Sequence, residues 1–393
     1  MSEEPSTDSV TDVTTTGWPQ RIVRSFVGAV IGVLLVIGSI ILLWWNEGRA
    51  VDAIRALDQG AKQVVEANAT AVDPTNNGKL LHLSGAMTTR APARDTAFGV
   101  GGDDLLRLKR TVEMFQWTEQ KSTHTQRNLG GSETTETTYS YRKEWADHPV
   151  DSSHFHEAGG HGNPSMPVRS ATIDSQDVRL GAYKVDRPVL DAVSAFASFD
   201  PGQATSLPAG YSKTGDTLYR GSDPAAPAIG DVRVHYKAVS AQTMSVVASQ
   251  TGGVLAPFHD ANGYKIALAD AGVVPATVMF KEKAHEESIV TWILRAVGFV
   301  LMLLGFWLMG SPLGVVLGVI PLLETMAEAG AFLIALIVSV PLTLIVIAAA
   351  WMAHRPLIGV GLIAGAIAVG YLLRRLHRRA APTTFLPAGT LPR

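Results

Sequence analysis

Four histidines, His148, His154, His156 and His161, fall within fourteen residues, and neutral imidazole is a common ligand for transition metals. On a strand His154 and His156 would share a face, so these two are the candidates for chelation. Gly159, Gly160, Gly162 and Pro164 make the stretch a loop, whereas ordered metal sites hold their ligands on supported elements with partners behind them. A solvated loop without metal or cofactor is expected. In a metalloprotease helix two histidines stand four apart to present both rings on one face. His156 and His161 are five apart with paired glycines between them, which rotates the second ring away and disfavours the helix.

Other chemistry is equally thin. Gly99-Val100-Gly101-Gly102 lacks a third glycine and runs into Asp103 and Asp104, which would repel a phosphate. Gly210-Tyr211-Ser212-Lys213-Thr214 has no closing glycine for a nucleophile elbow. Asn68-Ala69-Thr70 has the form of a glycosylation acceptor. There is no cysteine, hence no thiol nucleophile and no thiolate metal site. Thirty-three basic against thirty-five acidic side chains leave a net charge of -2, so no basic excess points to nucleic acid. No catalytic residue is assigned, and an enzyme is not expected.

The elements that position these residues begin in lipid. Ile22 to Trp45 carries a single charged side chain, Arg24 near its start, and the uncharged run from Ser25 to Trp45 reaches the ~20 residues that cross a hydrocarbon layer. Its length exceeds the apolar core of a cleavable signal peptide, so it reads as a retained anchor. Residues 289–309, 331–353 and 356–373 are further spans, and Pro356 suits a helix start. Trp44, Trp45, Trp292 and Trp351 fall at ends that would share one interface, and Trp18, Trp307 and Tyr371 at the other. Pro312 to Leu323 is apolar but too short to cross, so 310–330 reads as interfacial or re-entrant.

Arg374, Arg375, Arg378 and Arg379 follow the last span, and short basic flanks stay cytoplasmic. Four crossings return 1–21, a poorly ordered tail with Arg21, to the same side. Residues 46–288, with 24 basic and 29 acidic residues, then lie outside the cytoplasm. The expected architecture is a multipass α-helical membrane protein with a large α+β, mainly antiparallel-sheet, extracytoplasmic domain inserted between the first two spans.

That domain opens with a helical stripe, Ala50, Ile54, Leu57, Ala61 and Val64, read as an outward continuation of the first span or as a helix packed on its own domain. Residues 80–83, 110–118, 137–141, 231–238 and 243–248 carry the β-branched and aromatic residues of strands. In 232–236 apolar and basic side chains alternate, as in a half-buried strand. Gly130-Gly131 reads as a hairpin loop, and 190–199 as another helix. Gly28 with Gly32, Gly314 with Gly318, and Gly361 with Gly365 allow close helix packing. Apart from Arg24 at the edge of the first span, Arg295 is the one charge inside an expected span. It sits about 9 Å from the span's outer end, within snorkelling reach of the interface.

Asn46-Glu47-Gly48-Arg49-Ala50-Val51, directly after the first span, resembles the hallmark of the LUMA family, also called transmembrane protein 43. Glu113-Met114-Phe115-Gln116-Trp117, Tyr139-Ser140-Tyr141 with Trp145, Asn163-Pro164-Ser165, Gly230-Asp231-Val232-Arg233-Val234 and Ala350-Trp351 with Arg355-Pro356-Leu357 follow in the same order. The resemblance covers most of 46–373. It implies an N-terminal span, a large non-cytoplasmic domain, clustered C-terminal spans and no catalytic residue. In animals it implies the endoplasmic reticulum and inner nuclear membrane, with lamins and emerin as associates. The Arg-rich, cysteine-free chain looks bacterial, which would make the membrane the inner one. On the residues alone, 46–49 are a helix-exit anchor, with a lipid-head or partner contact as the sharper reading.

The expected function is therefore non-enzymatic: organising membrane or scaffolding partners, which are the lipid bilayer and other membrane proteins, self-association included. A transporter or channel component is the alternative, and an extracytoplasmic metal-dependent enzyme comes third.

Overall fold

A computed structural model describes residues 8–203 and 207–355. The expected span 356–373, the basic tail and the glycine pair 361 and 365 lie outside the described residues. Among the described residues three helices are long and apolar enough to cross a membrane: α1 (Trp18–Gln63), α2 (Ala276–Leu317) and α3 (Pro321–His354). They pack as an antiparallel bundle. The sheet-rich region lies between α1 and α2 in the chain.

Small residues set the helix register. A Cβ placed on Gly32 would stand 2.5 Å from the Gly305 carbonyl oxygen, and one on Gly305 would stand 2.7 Å from Val36. Only glycine permits that approach of two backbones. Leu43 packs over Gly298 in the same seam, with Met302 and Val346 completing a small apolar core. Large apolar side chains elsewhere on the helices, such as Val30, Leu34 and Ile337, point outward, as lipid-facing side chains do.

Residues 310–330 are not re-entrant. Pro312 lies inside α2, which runs on to Leu317, turns at Gly318, and resumes as α3 from Pro321. A proline cannot donate to the carbonyl four residues back, yet the Ser311 hydroxyl donates to that oxygen, on Leu308, at 2.8 Å. With the freed acceptor satisfied the helix continues, and the apolar stretch becomes the apex of a helical hairpin.

The outward continuation of the first span is present, since α1 is unbroken from Trp18 to Gln63. Its end also packs on the sheet-rich region, through Leu57, Ala61 and Val64 of the stripe and through the buried Gly60 beside them. At Gly60 the absence of a side chain admits Ile266 and Phe280. They share a core with Leu57, Leu80, Val247 and Met279.

The strands are β1 (Asp8–Thr16), β2 (Leu80–Thr89), β3 (Leu105–Arg127), β4 (Glu133–Ala146), β5 (Tyr211–Thr214), β6 (Thr217–Arg220), β7 (Val232–Ser240), β8 (Gln242–Thr251) and β9 (Leu268–Ala271), with shorter ones between. Among the described residues an eight-stranded sheet runs β1-β4-β3-β7-β6-β5 along its main path, every pairing antiparallel. A second sheet is built around β2, β8 and β9. In β7 Val232, Val234, Tyr236 and Ala238 are buried while Arg233, His235 and Lys237 face outward, the alternation of a half-buried strand. Residues 190–199 do not form the expected helix. A single turn at Arg187–Leu190 gives way to a strand at Ala197–Phe199 that pairs with β7, because a neighbouring strand offers more backbone partners than an isolated short helix.

Two findings change the expected organisation. The N-terminal segment is not wholly a loose tail: β1 pairs with β4 from Asp8↔Tyr141 to Thr16↔Glu133. In addition, β3 and β4 project as an arm whose tip, at Gly130 and Gly131 with φ of 88° and 81°, returns to the bundle. Gly130 donates its N–H to the Val319 carbonyl at 3.1 Å. The region between α1 and α2 therefore touches both ends of the bundle, near Phe280 and at the α2–α3 apex.

Placing a methyl on Gly32 should force the seam apart. Gly32→Ala is expected to lower stability by ~1–3 kcal/mol, while Gly38→Ala, with open space around its Cβ, should not. Thermal unfolding of both variants in the same detergent checks this.

Candidate functional site at the helix exit

Antiparallel packing of α1 on α2 sets the block 46–49 against 287–295, and Thr291 is shared between Asn46 and Arg49. The Asn46 amide donates to the Thr291 carbonyl at 3.2 Å, and its own carbonyl oxygen is buried without a partner. Glu47, 1% exposed, receives Arg295 at 2.6 Å through Nε and 2.8 Å through a terminal nitrogen, a two-pronged fit that only guanidinium and carboxylate make. Gly48 leaves room for the His354 ring, which would lie 2.7 Å from a Cβ there. Arg49 donates to Glu287 at 2.5 Å and to the Thr291 hydroxyl at 3.2 Å. Tyr264 donates to the same Glu287 at 3.1 Å; burial, then Glu287 beside it, pushes its phenol well above the usual range, so it keeps the proton it donates.

Arg295 does not simply snorkel. Its guanidinium lies over the Trp292 ring at 4.8 Å and ends on Glu47. Read from sequence alone, Glu47 and Arg295 stand apart, one in the helix-exit block and the other in a span. The signal that joins them is the pair of facing glycines, 32 and 305: once they are opposed, an antiparallel register brings position 47 level with about 290, within reach of the long Arg295 side chain.

Glu324 and Glu328 belong to the opposite end. Glu324 is fully buried in the first turn of α3, where the helix dipole favours an anion, and it pairs with Arg21. Arg21 also donates to the Gly131 carbonyl at 2.8 Å and pairs with Glu133 at 3.1 Å. Arg127, near the arm's tip, reaches Glu324 at 3.3 Å and Glu328 at 2.5 Å. Trp18 donates its indole N–H to the Val315 carbonyl at 2.8 Å. Between the clusters at Arg21 and Glu47, α1 rises about 39 Å with only Arg24 as a further charge, next to the first cluster. Ionic groups thus bracket an apolar length comparable with a bilayer core of ~30 Å.

The histidines scatter. His154 sits in a short 3-10 turn at Ser152–His154, not on a strand, and meets Asp151 at 3.0 Å. His156 stacks on Tyr139 and meets Asp12 at 3.2 Å. His161 is buried, stacked on Tyr141, with Asp8 at 2.9 Å. His148 takes Asp147. The loop is thus held by the sheet rather than freely solvated, and two of its histidines fasten β1. Among the described residues no group of three or more metal-binding side chains converges. Gly101 lies in a two-stranded ribbon with Arg94, and Ser212 pairs along β5 with Tyr219.

Removing one partner of a buried pair strands the other. Arg295→Leu, which leaves Glu47 unpaired, is expected to cost ~3–5 kcal/mol, and Glu47→Leu with Arg295→Leu should recover most of it. Unfolding of the three proteins in lipid nanodiscs checks this.

A sequence profile of the family described as Transmembrane protein 43 matches residues 114–356. Human Transmembrane protein 43 is 31% identical over 373 residues, covering 91% of this chain and 92% of its own. The mouse protein is 31% identical over 355 residues, covering 87% and 88%. The Drosophila melanogaster protein, named Transmembrane protein 43 homolog, is 28% identical over 359 residues, covering 88% and 94%. No solved structure matches. A matching profile over more than half the chain, near end-to-end likeness to the vertebrate proteins, and three helices able to cross a membrane place this chain in the Transmembrane protein 43 family.

Proposed function

We propose that this membrane protein is not an enzyme, crosses the bilayer several times, and organises membrane or scaffolds partner proteins, copies of itself included. The arm carries this reading. Its strands β1 and β4 and residues 118–127 of β3 are polar, with Thr, Ser, Gln and Glu prevailing. β1 ends the sheet, and 118–127 pair only with β4 among the described residues, so both margins of the arm present free backbone groups. Such edges invite another strand. Open sheet edges cannot lie in hydrocarbon unless protein or a water-filled cavity covers them. With its tip tied to Arg21 and Glu324 at one end of the bundle and its base at the other, the arm runs the length of the spans. A bilayer around the helices therefore requires a cover for it, and a second copy, joining its β1 margin to the neighbour's 118–127 margin, supplies one. The body of 46–288 is placed on the non-cytoplasmic side, in a bacterial inner membrane or, in a eukaryote, the endoplasmic reticulum and inner nuclear membrane.

A polar arm at membrane depth also suits a water-lined passage, the one observation that favours a transporter or channel component. Solute flux through reconstituted protein tests that reading. The histidine loop gives a metal-dependent enzyme little support, since each ring takes its own carboxylate.

The chain lacks cysteine, so introduced thiols report cleanly. Co-expressed Val13→Cys and Ser122→Cys chains are expected to cross-link to each other in native membranes. Leu129→Cys with Val319→Cys should cross-link within one chain. If only the second link forms, something other than a second copy covers the arm and self-association fails. If the second does not form, the tip is undocked in membranes, and the arm ceases to support this function.

A further inference from the structure

A cleft of about 680 Å³ opens beside α1 where the helix passes from its apolar length to the sheet-rich region. Ile41, Trp45, Arg49 and Asp52 line it in order, and spacings of four, four and three residues keep them on one helix face. The far walls are His354 of α3 and the loop 262–264. From Ile41 to Arg49 the helix rises about 12 Å, and from Arg49 to Asp52 about 4.5 Å more.

We infer that this cleft is a binding site for an ethanolamine phospholipid, seated with its acyl chain along Ile41, its phosphate at Arg49 and its ammonium at Asp52. The sequence of chemistries along the helix is that of the lipid from tail to headgroup. Ile41 and Trp45 are more than half exposed and sit where acyl carbons and the glycerol region meet an aromatic belt. Arg49 is held by Glu287 and Thr291, yet about a quarter of its side chain (24%) stays exposed, and the residue lines the cleft. Asp52 is held loosely, by Arg55 at 3.7 Å, with both side chains nearly half exposed, so its oxygens are open to another cation. It stands one turn farther from the apolar band than Arg49, as an ammonium stands outside its phosphate. Since Glu287 already balances Arg49 and Arg55 only loosely balances Asp52, the cleft has no cationic excess to favour an anionic headgroup. A primary ammonium donates hydrogen bonds to a carboxylate, which a quaternary choline cannot do.

The test uses the full chain in nanodiscs made from equal parts of ethanolamine, choline and glycerol phospholipids of identical acyl composition. After stringent delipidation, the lipid that stays bound is read by native mass spectrometry. One tightly held ethanolamine lipid is expected, enriched about fivefold over either competitor, the ratio that a net hydrogen-bond gain of about 1 kcal/mol sustains. Asp52→Asn should erase the preference while a lipid is still retained. Asn262→Trp should block the mouth and abolish retention: the Asn262 side chain lines the cleft, and its backbone N–H bond to Asp260 is kept. Thermal unfolding of both variants should match the parent. Retention unchanged by Asn262→Trp would locate the lipid elsewhere and overturn the site. Preference for the glycerol or choline lipid, or a preference that survives Asp52→Asn, would overturn the headgroup assignment. Inorganic phosphate that displaces the bound lipid would show that the site takes phosphate alone, and would also overturn it.

Discussion

Two glycines, 32 and 305, bring the backbones of α1 and α2 into contact, and the rest of the molecule takes its register from that seam. Within a bilayer, helices gain nothing from hiding apolar surface from lipid, so close packing and polar bonds must hold them. The seam supplies the first and sets the geometry for the second. One turn of misalignment would carry Glu47 past Arg295 and Arg49 past Glu287, leaving buried charges without partners. The seam and the polar exit therefore depend on each other: neither the pairs nor the close approach would persist if the other moved.

The two ends of the bundle use charge differently. At the helix exit Asn46, Glu47 and Arg49 are bonded to α2 and Gly48 admits the His354 ring of α3, so a motif that reads as a simple anchor is a lock between α1, α2 and α3. At the other end Arg21 and Arg127 converge on Glu324, and that cluster joins the sheet to the helices. The long polar strands are bound to the bundle by this convergence, and membrane depth and strand edges have to be reconciled there.

Much of the architecture was legible in sequence, because apolar length and strand alternation are local signals. The spans through 353, the antiparallel strands and the Gly130-Gly131 loop are of this kind. The helical apex at 310–330 shows in sequence only as an apolar stretch too short to cross, since Pro312 and the two glutamates suggest a break, whereas Ser311 repairs the lost bond and the glutamates find arginines distant in sequence. The Glu47–Arg295 pair, separated by almost the whole sheet-rich region, leaves no local trace. The histidines misled in the opposite direction: closeness in sequence implied a shared ligand, but their rings serve separate aspartates, two of them in the N-terminal strand.

That strand has a consequence for biogenesis. β1 emerges from the ribosome before anything else described here, yet its partners, Glu133 to Tyr141, are translated only after α1 and all of β3. The earliest-made segment must wait unpaired while the first helix enters the insertion machinery and the arm is synthesised. Its threonines meet further threonines, Thr14 opposite Thr135 and Thr15 opposite Thr134, a repetitive pairing that tolerates slippage. Asp8 on His161 and Asp12 on His156 distinguish the correct alignment from its neighbours, so the late-arriving histidine loop acts as a proofreader for the first strand made.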